Sequence, residues 1–272
     1  DWSSDVCSSD LKMIYYGHDL HFMREFREYE LTGDVKKRQE SEYWKSIEFS
    51  LFHKVAVSYY PSYVEEEAIH AVDETIPVKA ITAYVYEEFL QNLNKDFAKR
   101  EGLLFVGGFA HPPNADAVLW FAKDVFPKIR EQIKVNFYIV GSKVTDEIKA
   151  LEQPGNGIIV KGFVSEEELA DLYRNCRIVV VPLRYGAGVK GKVVEAIYNG
   201  APIVTTSVGS EGIPDVEKVL LVKDQPDEFA ETVVELYKDE KRLEDLAEKT
   251  QVYIREHFSI DAAWDVIKED FE

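Results

Sequence analysis

Three glycines and two lysines lie close together between Tyr185 and Lys192, in the sequence YGAGVKGK. A short β-branched run, Ile178–Val181, precedes this loop, and a helical pattern begins at about Lys192. The first N–H groups of a helix have no partners within it, and the helix dipole makes that end positive. The loop can therefore hold an anion, and the charges of Lys190 and Lys192 strengthen the interaction. This spacing predicts a phosphate cradle.

A carboxylate, Glu195, follows about one helical turn into the predicted helix. It can accept two hydrogen bonds, which suits the diol of a ribose. The sequence contains no G-x-x-x-x-G-K-[ST] loop. Gly186, Gly188 and Gly191 fit G-x-G-x-x-G, but they follow the fourth strand of their domain, not the first. On pattern alone, the lysines and Glu195 could equally be solvated residues of an ordinary strand–loop–helix unit.

Alternating strands and helices with short loops must position this site in the second half of the chain. Gly107 and Gly108 follow the first strand, at the end where open α/β sheets bind ligands. A helical stretch over 115–133 is predicted to be capped by Asn114 and to split or kink at Pro127. Strands are predicted at 103–106, 136–140, 158–161, 178–181, 201–205 and 219–222. The pattern indicates a parallel, doubly wound sheet over 101–256.

The first half alternates in the same way, which is typical of part of a Rossmann-like domain. Predicted strands are 13–16, 54–58 and 77–84, and predicted helices are 23–31, 35–52 and 61–72. Glu65, Glu66 and Glu67 are predicted to face solvent. His18 and Asp19 follow the first strand; a histidine can act on a hydroxyl, and a neighbouring carboxylate can orient it. The mostly polar segment 87–100 is the predicted linker.

Residues 184–212 resemble the donor-site signature of the retaining glycosyltransferases of family 4, which have the GT-B fold. A subgroup pattern, R-x-G-x-G-x-K-x-K-x-x-E-A, matches the run from Arg184 to Ala196. The residues that match the broader signature are Gly188, Glu195-Ala196, Gly200, Pro202-Ile203-Val204, Thr205-Thr206 and Gly209-Ser210-Glu211-Gly212. The resemblance extends over nearly all of 101–272.

The resemblance implies an α/β, GT-B chain with two Rossmann-like domains, of which the first is incomplete. Residues 12–86 resemble the later part of the N-terminal acceptor domain, and 101–256 resemble the nucleotide-sugar domain. Residues 257–272 resemble the terminal helix that crosses back to the first domain. Residues 1–11, DWSSDVCSSDL, match the translation of a common sequencing adapter. We therefore expect an artefactual tail, a non-native Cys7 and a native sequence cut near Lys12.

The resemblance also implies roles for individual residues. In this family a histidine at a strand end of the first domain lies near the transferred sugar, which implies catalytic roles for His18 and Asp19; His21 is a weaker candidate. Lys190 and Lys192 are the main candidates for the diphosphate, and Arg184 is the third. The full set implied for donor binding is Gly107, Gly108, Arg184, Gly186, Gly188, Val189, Lys190, Lys192 and Glu195.

Two features depart from the family pattern. Family members usually carry two acidic residues eight positions apart; Glu195 matches the second, but the first position holds Ala187. They also usually carry an Arg and a Lys that meet the diphosphate. No such pair follows the first strand of the donor domain, where the loop holds Phe109, His111 and Asn114.

Composition excludes several classes of protein. The net charge is −18, and the three aspartates of the tail account for three of these charges, which leaves −15. So acidic a chain is a poor general binder of nucleic acid. Apart from Cys7 the sequence holds only Cys176, which excludes a disulfide framework and a multi-cysteine metal site. No apolar run approaches the roughly 18 residues that a membrane-spanning helix needs.

We therefore predict a retaining glycosyltransferase that moves a sugar from a nucleotide-diphosphate sugar to a saccharide or lipid-linked acceptor, in cell-surface polysaccharide or lipopolysaccharide synthesis. The GT-B class implies no catalytic metal and no other cofactor. We expect a cytoplasmic location at the inner face of the membrane, with peripheral contact through the missing part of the first domain. Because catalysis needs both domains, we expect this chain alone to be inactive. Two alternatives stay open: a non-catalytic nucleotide-sugar-binding GT-B module and a GT-B sugar epimerase.

Overall fold

The computed structural model describes residues 12–186 and 188–271, which form two compact units. The first unit runs to Ala83 and includes the chain from Ala263 onward, and the second is Tyr84–Ala262. The proposed adapter tail, Cys7 and Ala187 lie outside the described residues. None of the helices described here is long and apolar enough to cross a membrane.

Nine strands and twelve α-helices are described in these ranges. The strands are β1 Ile14–Tyr16, β2 Val57–Tyr60, β3 Val78–Ala80, β4 Leu103–Val106, β5 Phe137–Val140, β6 Ile158–Gly162, β7 Ile178–Val181, β8 Ile203–Thr205 and β9 Leu220–Val222. The helices are α1 His21–Thr32, α2 Val35–Phe52, α3 Tyr63–His70, α4 Pro112–Trp120, α5 Phe126–Arg130, α6 Asp146–Lys149, α7 Glu166–Asn175, α8 Gly191–Tyr198, α9 Ser207–Ser210, α10 Pro226–Lys238, α11 Glu240–Phe258 and α12 Ile260–Phe271.

The second unit is built on a six-stranded parallel sheet in the order β6-β5-β4-β7-β8-β9. The chain begins at β4 in the middle, builds outward to β6, and returns to β7 on the other side of β4. The strand order therefore reverses between β4 and β7. Open α/β sheets bind ligands at the carboxyl ends of the strands beside such a reversal. The parallel, doubly wound sheet predicted from the sequence is confirmed.

The core of the second unit explains why its strands read as continuous apolar runs. All four residues of β7 are buried, because helices cover both faces of a parallel sheet. Helix α8 buries Val193, Val194, Ala196 and Ile197, the four apolar residues predicted for it. Gly200 follows this helix with φ +66°, as expected of a glycine that ends a helix.

The helix after β4 differs from its prediction at its start. It begins at Pro112 with His111 at the N-cap, so Asn114 lies inside the helix and is not its cap. Its predicted split is confirmed: α4 ends at Trp120, a π-helical turn follows, and Pro127 lies in the first turn of α5. Proline fits a first turn because its missing N–H would have no partner there.

In the first unit, β1, β2 and β3 form a parallel sheet in that order. The prediction that Glu65, Glu66 and Glu67 face solvent is wrong for Glu65, which is 0% exposed and accepts a hydrogen bond from Ser62. Glu66 is half-buried and accepts the Ala80 N–H at 2.9 Å. Only Glu67 is exposed. Three consecutive glutamates look alike in the sequence, so the sequence does not show which of them the fold turns inward.

The Arg100 side chain is only 2% exposed and donates to three backbone carbonyls: Cys176 at 2.7 Å, Tyr173 at 2.9 Å and Asn94 at 3.3 Å. We predict that Arg100→Leu lowers the free energy of unfolding by about 2–4 kcal/mol, because it leaves these carbonyls without donors. Chemical denaturation would measure this. The control is Lys99→Leu, at a side chain 84% exposed, expected to change stability by about 0.5 kcal/mol or less. Equal effects of the two variants would contradict the prediction.

Candidate functional site

The loop between β7 and α8 lies at the carboxyl end of β7, beside the reversal of strand order. Gly186 and Gly188 have φ of +135° and +72°, values in the left-handed region that L side chains rarely adopt. The turn therefore depends on these two glycines. The acidic position that the family pattern fills, here Ala187, falls between them and outside the described residues.

Helix α8 begins without a side-chain cap. Lys190 is its N-cap residue, with φ −89° and ψ 100°, and its side chain caps none of the first amides. The first turn contains no acidic residue. The Lys190 ammonium instead donates to the carbonyl of Gly188 and lies back along the loop. The positive end of α8 thus carries additional cationic charge and no carboxylate in its first turn, which suits an anionic ligand.

Lys192 connects this loop to the carboxyl end of β4. Its Nζ donates to Asn114 Oδ1 and lies 5.2 Å from the centroid of the Phe105 ring. A Cβ added to Gly107 would lie 3.1 Å from Nζ, so glycine leaves room for the ammonium. Burial, together with the charge of Lys190, lowers the pKa of Lys192 to about 8. The structure therefore brings Lys192 and Gly107 together.

Asn114, predicted from the sequence to cap a helix, instead links the two loops of this site through its side chain. Its side chain is 5% exposed; Nδ2 donates to the Gly108 carbonyl at 2.7 Å while Oδ1 accepts from Lys192. An amide can do both because it has donors and an acceptor. The sequence shows an asparagine near a helix start, and that signal equally fits a cap.

A cavity of about 210 Å³ lies between the two loops. Its polar and glycine lining comprises His111, Asn114, Tyr185, Gly186, Lys190, Gly191 and Lys192, and Val189 also contributes. The pKa of His111 is lowered by burial and by the charges of Lys192 and Lys190. His111 is therefore neutral at neutral pH and can donate or accept one hydrogen bond at each ring nitrogen.

Arg184, the third candidate for the diphosphate, already has an anionic partner. Its Nε donates to Asp116 Oδ2 at 2.8 Å, and its Nη2 donates to Asp116 Oδ1. This bidentate pair raises the pKa of Arg184 and compensates its charge. Arg184 is also absent from the described lining of the 210 Å³ cavity.

Glu195 lines a second cavity, of about 470 Å³, which shares Gly191 with the first. Burial raises the pKa of Glu195, and interaction with the Tyr173 hydroxyl lowers it. The other lining residues are Tyr84, Tyr86, Tyr198 and Asn199. The carboxyl group thus lies beside the cationic cavity, and both cavities adjoin the start of α8.

In the first unit, the structure does not pair Asp19 with His18 as predicted. His18 is exposed, and its ring meets that of Tyr16 edge-on at 5.4 Å. Asp19 accepts from Arg24 at 2.6 Å and lies 3.9 Å from Nε2 of His21. The histidine that Asp19 approaches is therefore His21 and not His18.

His21 is held from two sides. Its Nδ1 lies 3.1 Å from Oε1 of Glu48, which is 4% exposed and also accepts the His21 N–H at 2.9 Å. Its ring stacks on Trp44 with centroids 4.5 Å apart. Sequence reasoning missed Glu48 because a glutamate in the middle of a charged helix looks like a solvated residue.

Comparison with known proteins agrees with this architecture. Residues 100–239 match the family "Glycosyl transferases group 1", and the chain belongs to that family. A Klebsiella pneumoniae protein named "Uncharacterized 44.6 kDa protein in cps region" is 29% identical over 184 residues, which cover 64% of this chain and 45% of that protein.

Solved structures show the same fold. Staphylococcus aureus TarM is 14% identical with a TM-score of 0.75, over 98% of this chain and 52% of that one. Sucrose-phosphate synthase from Thermosynechococcus elongatus is 17% identical with a TM-score of 0.69, over 95% and 66%. Anabaena HepE, solved with UDP and glucose, is 15% identical with a TM-score of 0.66, over 96% and 71%. The GT-B fold is thereby confirmed. The chain spans about half the length of TarM and of the Klebsiella protein.

The half-buried ammonium of Lys192 makes stability depend on pH. The pKa of Lys192 is about 8 in the folded protein and 10.5 when the side chain is fully solvated, as in the unfolded chain. Between these pH values the unfolded chain therefore binds a proton that the folded protein has lost. Stability relative to Lys192→Met should therefore rise with pH, by about 2 kcal/mol from pH 7.5 to 10. Denaturation of both proteins across this range would measure it. Parallel profiles for wild type and Lys192→Met would contradict the prediction; Lys223→Met, at a lysine whose side chain is 41% exposed and lies 3.7 Å from Glu228, should parallel wild type.

Proposed function

We propose that the protein transfers a sugar from a nucleotide-diphosphate sugar to an acceptor, with retention of configuration. The observation that carries the proposal is the start of α8, which has no side-chain cap: there Lys190 donates to the Gly188 carbonyl, and Lys192 lies beside Gly107 of the β4 loop. This arrangement occurs where the strand order reverses, in a chain of the group 1 glycosyl transferases.

In this proposal the two lysines and the α8 dipole stabilise the departing nucleoside diphosphate. Sugar transfer builds negative charge on the leaving phosphate and oxocarbenium character on the sugar, so fixed positive charge lowers the barrier. Lys192 replaces the usual Arg/Lys pair of the family, since Asn114 holds its ammonium at the β4 loop. Gly188 and Val189 supply backbone amides, and Gly107 and Gly108 allow close approach. Arg184 acts indirectly, through its pair with Asp116.

We infer that Glu195 holds the ribose and that the donor is a UDP-sugar. A half-buried carboxyl group next to the phosphate cavity is placed to accept two hydroxyl hydrogen bonds. Structures of HepE contain UDP-glucose, and a pneumococcal transferase, GtfA, was solved with UDP and GlcNAc. These proteins make UDP the first nucleotide to test.

We further propose that the acceptor is a saccharide, free or lipid-linked, and that the first unit supplies His18 and Asp19 to the reaction. A role in cell-surface polysaccharide synthesis is supported by the Klebsiella relative, whose name places it in a cps region. Such a role puts the protein in the cytoplasm at the inner membrane face. We expect transfer to need no metal ion, so that a chelator leaves the rate unchanged.

A non-catalytic nucleotide-sugar-binding module is the second candidate. The pairing of Arg184 with Asp116 and the alanine at position 187 favour it, because both remove donor contacts. A sugar epimerase is the third. Because the chain spans about half the length of TarM, we propose that the active protein is longer. Incubating a UDP-sugar with that protein and a saccharide separates the candidates: a transferase elongates the saccharide, an epimerase alters the sugar without an acceptor, and a binding module does neither. We expect the present chain to bind donor without turnover.

The proposed ribose contact predicts different effects on two anions. Glu195→Gln should weaken UDP binding by about 1.5–3 kcal/mol, because it loses charge-assisted hydrogen bonds, and should leave inorganic pyrophosphate binding unchanged. Titration calorimetry of both anions into the full chain would measure this. Equal losses for UDP and pyrophosphate would show that Glu195 acts on the fold of the loop and not on a ribose.

A further inference from the structure

The imidazole of His111 belongs to the 210 Å³ cavity between the β4 loop and the α8 loop. Lys190 and Lys192 line the same cavity, and its described lining contains no carboxylate. Each ammonium donates to a neutral oxygen: Lys190 to the Gly188 carbonyl and Lys192 to Asn114 Oδ1. The cavity therefore gathers two ammonium groups on the side of a histidine.

The start of α4 offers few backbone donors to a ligand in this cavity. Its first two residues are Pro112 and Pro113, which have no N–H. The N–H of the third residue, Asn114, donates to the His111 carbonyl at 3.0 Å. An anion bound at this point of the β4 loop therefore depends on side chains.

The His111 side chain is available for such a contact. It makes no capping hydrogen bond to α4, and neither ring nitrogen has a hydrogen-bond partner within 12–186 and 188–271. The residue is exposed to solvent, so a ligand can reach it. Replacing the ring therefore removes no contact that holds the β4 loop.

The charged groups around the ring keep it neutral in the free protein. Partial desolvation and the charges of Lys192 and Lys190 lower the pKa of His111. Tyr185, which also lines the cavity, is uncharged at neutral pH because burial raises the pKa of its phenol. Asp116, in the second turn of α4, is held in its bidentate ion pair. The two lysines are thus the charges that oppose protonation of the imidazole.

We propose that His111 contacts the donor diphosphate as an imidazolium, so that binding takes up a proton from solvent. An anion in the cavity offsets the two ammonium charges and places an opposite charge beside the ring, which favours its charged form. The imidazolium donates a charge-assisted hydrogen bond to a phosphate oxygen. Because the complex holds more protons at His111 than the free protein does, its contribution to affinity grows as pH falls. This inference rests on the proposed nucleotide-sugar function.

The test is His111→Gln, which keeps a hydrogen-bond donor but takes up no proton near neutral pH. Titration calorimetry of the full chain with UDP and with inorganic pyrophosphate, at pH 7 in two buffers of different ionisation enthalpy, counts the protons taken up. Wild type should take up roughly half a proton more per bound anion than His111→Gln. Its advantage in pyrophosphate affinity should grow from about onefold at pH 8.5 to roughly five- to tenfold at pH 6.5.

The comparison of wild type with His111→Gln cancels the ionisation of the anions and of Lys192. The control is His53→Gln, at a histidine of the first unit whose side chain is 56% exposed and lies 3.5 Å from Asp73. It should match wild type in proton uptake and in affinity. Thermal denaturation establishes that the compared proteins are equally folded.

Equal proton uptake by wild type and His111→Gln, with both binding pyrophosphate, would overturn the inference and leave the proposed function intact. If wild type binds neither UDP nor pyrophosphate, the proposed function fails and the inference fails with it.

Discussion

The candidate site depends on one contact, the ammonium of the half-buried Lys192 held by the Asn114 side chain. Desolvating a charge costs several kcal/mol, so its presence between two loops needs partners on both sides. Asn114 provides one and fixes the Gly108 carbonyl with its other end. One side chain thereby sets the distance between the β4 loop and the α8 loop. A pKa lowered to about 8 is the electrostatic result of partly desolvating this charge beside Lys190, with no carboxylate partner among the described residues.

That constraint divides the site into two parts around Gly191. On one side lie the two lysines and the neutral imidazole of His111, which suit a diphosphate. On the other lie Glu195 and the tyrosines, where a carboxyl group and aromatic rings suit a nucleoside. In the proposed function, the ligand itself supplies an anionic partner for Lys192. A diphosphate between the loops would relieve the desolvation of Lys192, which couples binding to the order of both loops.

The secondary-structure elements of this site can be predicted from the sequence more accurately than its side-chain contacts can. Residues 178–204 fix β7, the glycine turn, α8 and its C-terminal glycine, because burial on both faces and left-handed glycines leave clear patterns. Asn114, Glu48 and Arg184 act through partners 78, 27 and 68 residues away in the sequence. No local periodicity encodes such pairs. Asp19 is a different case, because its partners Arg24 and His21 are close in the sequence: the start of α1 at His21 decides which neighbours it meets, and His18 is not among them.

The most direct test of this account is a calorimetric titration of UDP into the full chain and into Lys192→Met at pH 7. The control is Lys223→Met, at a half-buried lysine that follows β9. The account predicts that wild type and control bind alike and that Lys192→Met binds about 10- to 100-fold more weakly, the loss of one charge-assisted contact. Equal binding by all three proteins would contradict it, since the Lys192 ammonium would then be a packing feature with no part in holding a nucleotide.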